Sequence, residues 1–208
     1  MGDGPDALAG ILDVSRETIG RLSDYVALLC KWQRAENLIA PGTTGEIWRR
    51  HVADSAQIAA LFPKTRRYLD FGSGAGFPGL IVAIVTGADV ALVEANQRKC
   101  AFLREAIRVT GAPAWVEQGR VEELPEMAWQ GIEIVTARAV ASLVNLVALA
   151  TPGLAAGARL AFPKGREFRR EIAEASQSWR LDLVIHPSRI DPAGAILEVR
   201  RAEKTTAP

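Results

Sequence analysis

The residues best suited to hold a ligand lie in one stretch, Arg67-Tyr-Leu-Asp-Phe-Gly-Ser-Gly-Ala-Gly-Phe-Pro-Gly-Leu80. Gly72, Gly74 and Gly76 lack a Cβ, so the backbone there can turn tightly and approach a bound molecule closely. Tyr68, Leu69 and Phe71 ahead of them are strand formers. An apolar run begins at Leu80, with Pro78 near its first turn, where a missing N–H costs little. Strand, glycine loop and helix in that order point the free N–H groups of the helix N-terminus at the loop, which is the layout of a nucleotide-binding βαβ unit. Asp89-Val-Ala-Leu-Val-Glu94 then reads as a second strand, and the Glu94 carboxylate at its end can accept hydrogen bonds from both hydroxyls of a ribose.

The glycines alone leave two cofactor classes open. Gly74-x-Gly76-x-x-Gly79 satisfies the dinucleotide pattern, which would make the chain a NAD-dependent oxidoreductase. Gly72-x-Gly74-x-Gly76 led by Asp70 is the form common in S-adenosylmethionine-dependent methyltransferases. The order of elements separates the two. From Arg67 onward strands are expected near 67–71, 89–94, 114–117, 132–136, 157–163, 181–187 and 194–201, with helices near 79–86, 97–110, 141–151 and 167–179. Alternation of strand and helix argues a parallel sheet. Ser188-Arg-Ile-Asp-Pro-Ala-Gly between the last two strands is too short for a crossover, so they form an antiparallel hairpin. The expected class is therefore α/β: a Rossmann-like, class I methyltransferase sheet of seven mostly parallel strands with an antiparallel last strand, plus N-terminal helices.

Those N-terminal helices fall at about 6–12, from Ser15 to about Ala35, and at about 44–61, where Ile47, Val52, Ala56, Ala59 and Ala60 form the apolar side. Ser15 is a suitable N-cap, and Asn37 to Thr44 reads as a loop. The helices form a cap or lean-to on the βα unit. We divide the chain into a helical extension, 1–64, and a cofactor-binding domain, 65–208, with Pro63-Lys-Thr-Arg-Arg67 as the boundary. The tail from Arg201 to Pro208 is expected to fray.

Composition narrows the partners. Lys plus Arg number 25 against 24 Asp plus Glu in 208 residues, so net charge gives no support for nucleic-acid binding, which must be argued locally. Hydrophobic residues make up 49%, enough for a sizeable core. Cys30 and Cys100 have no metal spacing and no disulfide framework, which fits a reducing cytoplasm. The N-terminus has neither a basic region with an apolar run nor the myristoylation pattern, so no signal peptide is expected. The apolar segment from Leu143 to Phe162 is interrupted by Pro152, Gly153, Gly157 and Arg159, so no membrane span is expected.

Ligands of doubly wound sheets lie beyond the carboxyl ends of the strands, which selects the remaining candidates. Val121 and Glu122, after the third strand, could hold an adenine edge. Arg138, after the fourth, could hold a cofactor carboxylate or a phosphate. Lys164, after the fifth, could contact a phosphate. His51 and Asp54, three apart on one helix, could form a polar cluster. Arg166, Arg169 and Arg170 could track an RNA backbone or simply form a solvated face. No Asn-Pro-Pro-aromatic stretch comes after strand four, neither cysteine lies in a strand-end loop, and there is no Ser-His-Asp or metal-ligand set. An acceptor that is already nucleophilic is what remains.

Together these residues give a family resemblance. Tyr25-x-x-Leu-Leu-x-Lys-Trp32 with Asn37-Leu38, Arg50-His-Val-Ala-Asp-Ser55, Leu69-Asp-Phe-Gly-Ser-Gly-Ala-Gly-Phe-Pro-Gly79, Val93-Glu94 with Lys99 and Phe102-Leu103, Gly119-Arg-Val-Glu122, Ala137-Arg-Ala139 and Lys164-Gly165 resemble the bacterial ribosomal RNA small-subunit methyltransferase G family, also called glucose-inhibited division protein B. The resemblance implies a cytoplasmic enzyme that moves a methyl group from S-adenosylmethionine to N7 of a guanine in the 530 loop of 16S ribosomal RNA, or of another RNA. It implies a cofactor site lined by Gly72, Phe77, Val121, Glu122 and Arg138, to which the reading of the residues adds Gly74 and Glu94 as cofactor-binding, with Arg138, Lys164 and His51 as substrate-positioning candidates, and no metal. Gln33 and Ala137 depart from the family pattern, which usually has Asn and often Ser at those places.

Overall fold

In the computed structural model, which describes residues 3–205, seven strands form one sheet: β1 Arg67–Phe71, β2 Asp89–Glu94, β3 Ala114–Gln118, β4 Ile134–Thr136, β5 Arg159–Lys164, β6 Trp179–Pro187 and β7 Ala195–Lys204. Their order is β3-β2-β1-β4-β5-β7-β6, parallel throughout the first five, with β7 antiparallel to both neighbours. The expected sheet and its antiparallel last strand are thus present. Chain direction reverses its lateral progress between β1 and β4, and the crevice beyond their carboxyl ends is where such sheets take ligands.

Alternate residues of each strand serve two cores. Tyr68, Val90, Leu92 and Ile134 point to α1 Arg16–Gln33, α2 Asp54–Leu61, α3 Gly79–Thr86 and α4 Gln97–Thr110. Leu69, Phe71, Ala91, Val93 and Val135 point to α5 Leu143–Ala155 and the buried Phe168 of α6 Phe168–Ala175. The N-terminal helices therefore share the first core with the sheet. Arg21 of α1 reinforces this by donating to the carbonyls of Thr110 and Gly111 at the end of α4, satisfying acceptors that the helix cannot. Among the described residues no helix is long and apolar enough to cross a membrane.

Several boundaries differ from the sequence expectation. Helix α5 runs through Pro152 to Ala155, because Leu143, Leu146, Val147 and Ala150 are buried along it and Gly153 lies against Trp129 and Val135. Packing there overrides the proline's local cost. Helix α6 stops at Ala175, four residues before the expected end, and Trp179 is buried as the first residue of β6. The first helix shrinks to a 3₁₀ turn, Pro5–Leu8. The helix expected over 44–61 is three structures in series: a 3₁₀ turn Pro41–Glu46, a π turn Trp48–Ala53 and α2. It is also not one-sided, since Ser55, Gln57 and Ile58 are buried along with Ala56 and Ala59. The tail expected to fray is strand β7 as far as Lys204; residues 206–208 lie outside the described residues, as do Met1 and Gly2 at the other end.

Ser15 caps α1 as expected, accepting from the Thr18 N–H. At the other end, Gln33 fastens the chain that leaves the helix. Its Oε1 accepts from the N–H groups of Leu38 at 2.9 Å and Ile39 at 3.0 Å, and its Nε2 donates to the Ile39 carbonyl at 2.9 Å. Gln33→Ala strips partners from these part-buried groups. We expect it to lower Tm by roughly 2–10 °C, from about 1–3 kcal/mol spread over a chain of this size. A scanning-calorimetry trace superposing on wild type would contradict that role.

Candidate functional site

The crevice starts at the glycine loop. Gly72 (φ 64°) and Gly74 (φ 56°) take the left-handed conformation that only glycine adopts without strain. A Cβ on Gly74 would meet nothing closer than the Gly72 carbonyl at 3.8 Å, so the space beside it is open. A Cβ on Gly72 would strike Val140, whose side chain lies over the loop. Glu94, 8% exposed, reaches across from β2: Oε2 accepts from the Gly74 N–H at 2.9 Å and Oε1 from the Asn96 N–H at 2.8 Å. Each oxygen keeps a further lone pair, enough for a vicinal diol. The Gly119 N–H donates to the Glu94 carbonyl, which sets the turn Val121–Glu123 beside it; Val121 is buried and Glu122 exposed.

Asp70 closes the floor. Its Oδ1 accepts from the Thr136 hydroxyl at 2.6 Å, tying β1 to β4, and its Oδ2 is buried without a hydrogen-bond partner. Burial pushes its carboxyl up to about 6, against the opposing pull of Thr136, Ser73, the Gly79 N–H and Arg138. Gly79 is required here, since a Cβ would sit 2.5 Å from that of Asp70.

Arg138 forms the far wall. It lies over the Phe77 ring, 4.8 Å from the centroid. One Nη donates to the Arg50 carbonyl at 3.3 Å and the Asp54 carboxylate at 3.4 Å, and the other to His51 Nδ1 at 3.0 Å. Among the described residues three of its five N–H groups are engaged, and two are left over. The His51 ring stacks on the same Phe77 at 4.9 Å, and Tyr25 meets that ring edge-on at 5.6 Å. Phe77 is 4% exposed. Its ring is thus the plate on which Arg138 rests, which leaves the backbone of the loop for the crevice.

Lys164 is placed differently from the rest. Its ammonium donates to the Ala141 carbonyl at 2.9 Å and pairs with Glu171 at 2.7 Å, and Glu171 also accepts the Leu143 N–H at the start of α5. Lys164 thereby anchors the segment 139–142 that carries Val140. Beyond that segment a cavity of about 790 Å³ opens, lined by Arg49, Arg50, Arg138, Lys164, Ser188 and Asp191 among others. Gln57 positions its far side by accepting the Arg189 N–H at 2.6 Å.

The structure ties Glu94 to Gly74 and to the turn Val121–Glu123, sets Arg138 over Phe77 at the end of the glycine loop, joins His51 and Asp54 to Arg138, and places Lys164 with Arg138 on the cavity beyond the segment 139–142. Sequence reasoning missed Gln57, Val140 and Glu171. Gln57 had a local signal, a polar residue on the same helix flank as His51 and Asp54; the other two had none. Among the described residues no group of three or more His, Cys, Asp or Glu could hold a metal.

Comparison with known proteins matches the family model for rRNA small subunit methyltransferase G to residues 18–190. The chain belongs to this family. Curated members include the Ribosomal RNA small subunit methyltransferase G of Rhodospirillum centenum, 49% identical over 89% of this chain and 85% of that protein. That of Rhodopseudomonas palustris is 44% identical over 94% and 85%. Among solved structures, the SAH-bound methyltransferase of Podospora anserina has a TM-score of 0.58 at 14% identity, covering 92% of this chain and 98% of that one. A TehB-like SAM-dependent methyltransferase from Corynebacterium glutamicum has 0.53 at 16% identity over 86% and 98%. These two support the fold. Of the two departures from the family pattern, Gln33 fastens the loop after α1, and Ala137 is fully buried between Thr136 and Arg138.

Two buried groups pull stability in opposite directions at acid pH. Folded Asp70 titrates at about 6 against roughly 3.9 unfolded, so its contribution is greatest below 4 and is lost as pH rises through 6. His51 is held down to about 4, by burial first and then by Arg138 and Arg50, against roughly 6.5 unfolded. Its contribution is full above 6.5 and falls as pH drops towards 4. Asp54, also raised by burial, opposes His51 in the same sense and stays in Asp70→Asn, but the larger opposing contribution is gone. Urea unfolding of this variant should show stability falling more steeply than wild type from pH 6 to 4; parallel curves would contradict the assignment of Asp70.

Proposed function

We propose that this chain methylates N7 of a guanine in the 530 loop of 16S ribosomal RNA, using S-adenosylmethionine held in the crevice between the glycine loop, Glu94 and Arg138. The observation that carries this reading is the coincidence, in a member of this family, of an open glycine cradle, a diol-ready carboxylate and a guanidinium with two donors left over. Residues 65–208 are the cofactor-binding domain and 1–64 a helical extension that completes the Arg138 wall. The substrate is the small ribosomal subunit or its RNA, and an enzyme acting on it works in the cytoplasm.

The bound cofactor supplies an electrophilic methyl group on a sulfonium. The chain's own part is to bind and align. Glu94 would accept from the ribose hydroxyls, the Val121–Glu122 turn would border the base, and Arg138 would hold the amino-acid carboxylate with its remaining N–H groups. Gly74 lets the backbone approach where any side chain would intrude. Guanine N7 has an in-plane lone pair and no proton, so the site needs no general base, and none of its residues is placed as one. Alignment of acceptor and methyl group, with electrostatic control of the departing charge, is the whole catalytic task. Arg49 and Arg50, exposed at the cavity beyond the segment 139–142, provide cations for the RNA backbone.

The test is transfer of labelled methyl to 30S subunits lacking the modification, with the labelled nucleoside identified, for wild type and Gly74→Val. Wild type should put label into 7-methylguanosine. The variant should transfer none and show no heat of binding with S-adenosylhomocysteine. Label in another nucleoside, or unchanged binding by the variant, would overturn the reading.

A further inference from the structure

Arg138 is held over the end of the glycine loop, so what orients it decides the geometry of the site. Of its three protein acceptors, His51 Nδ1 is the shortest at 3.0 Å; the Arg50 carbonyl and Asp54 stand at 3.3 and 3.4 Å, near the limit for a useful bond. A guanidinium stays protonated and can only donate. His51 Nδ1 must therefore be bare. The other ring nitrogen agrees with this direction. Nε2 lies 2.8 Å from Thr43 Oγ1, and the Thr43 hydroxyl is itself committed to the Ala40 carbonyl at 2.7 Å, so its oxygen accepts and Nε2 carries the proton. Arg138 to His51 to Thr43 to Ala40 is one directed chain of donors. The opposite tautomer, or the doubly protonated ring, would set two donors face to face at Nδ1. Burial and the neighbouring Arg138 and Arg50 keep the ring neutral, with its pKa at about 4. The π turn Trp48–Ala53, a form that recurs at functional sites, carries this ring and the Arg50 carbonyl.

We propose that His51 is the positioning residue of this site: its neutral ring, protonated on Nε2 and bare at Nδ1, holds the Arg138 guanidinium against Phe77 in the orientation that cofactor binding uses. This rests on the methyltransferase reading for its effect on turnover, but not for the state of the ring.

Two measurements test it separately. The chain holds two histidines, so nitrogen NMR of labelled protein at neutral pH gives two rings, and His51 is assigned by its loss in His51→Asn. The expected spectrum has a protonated Nε2 and an unprotonated Nδ1 whose resonance moves in Arg138→Ala. Protonation at Nδ1, or no response to Arg138→Ala, would overturn the proposal even if no methyl transfer were found. The second measurement is turnover. In His51→Asn the amide oxygen falls near the Nδ1 position; in His51→Gln the carboxamide reaches the Nε2 position instead. At saturating cofactor, Asn should keep kcat within about threefold of wild type while Gln and Ala lose about tenfold or more, the weight of a hydrogen bond to a charged group. Equal losses in Asn and Gln variants of wild-type Tm would mean that the ring acts only by filling space. A wild type without methyl transfer would refute the functional reading and leave the NMR result to decide the role of His51.

Discussion

A partly buried guanidinium needs partners, and the placement of Arg138 governs much of this structure. Burial lowers its pKa, and Asp54 is the charge that opposes this most. Removing a partner from such a group costs far more than the pair contributes net, because the charge left behind is uncompensated. The partners come from a distant part of the chain, the helical run Trp48–Leu61, so this run must itself be fixed. Asp3 does so at one end, accepting the Trp48 N–H at 2.9 Å and the Arg49 N–H at 3.0 Å. Gln57 does so near the other, where it meets the β6–β7 connection. The N-terminal segment thus belongs to the construction of the site, although it contributes no strand.

The same interaction links the two halves of the crevice. Phe77 ends the glycine loop, and Arg138 comes after β4; the contact between them spans the switch point of the sheet. Asp70 and Thr136 make a second link one layer deeper. Asp70 is a costly residue to place there, with one carboxylate oxygen buried and unpartnered, and the two apolar cores on either side of the sheet offset that cost. Local unfavourable placement supported by surrounding packing is the usual character of a binding site.

Much of this is legible in the sequence, for identifiable reasons. Strand β1, its glycines and α3 occupy adjacent positions, so local propensity and spacing describe them fully. Glu94 follows from strand length, and the β6–β7 hairpin from the brevity of its connection. That His51 and Asp54 share one helix flank follows from helical spacing. The contact that joins them to Arg138 does not, since it spans 87 residues and depends on how the N-terminal helices dock. Lys164 is hidden for the same reason: Glu171, its partner, lies on the next helix, and pattern alone cannot say which way an ammonium turns. The π turn and the continuation of α5 past Pro152 are also hidden, because packing, not propensity, decides them. Phe77 is expected from the sequence to line the cofactor site; that its ring also carries Arg138 depends on a contact across the sheet that the sequence does not show.

The most direct measurement is a crystal structure of the chain with S-adenosylhomocysteine. The ligand's carboxylate should lie within hydrogen-bond distance of Arg138, and its ribose hydroxyls should meet Glu94. Arg138 should still rest on Phe77 with His51 Nδ1 as its partner. A ligand bound elsewhere, or an Arg138 swung away from His51 to reach it, would contradict a site built in advance around that guanidinium.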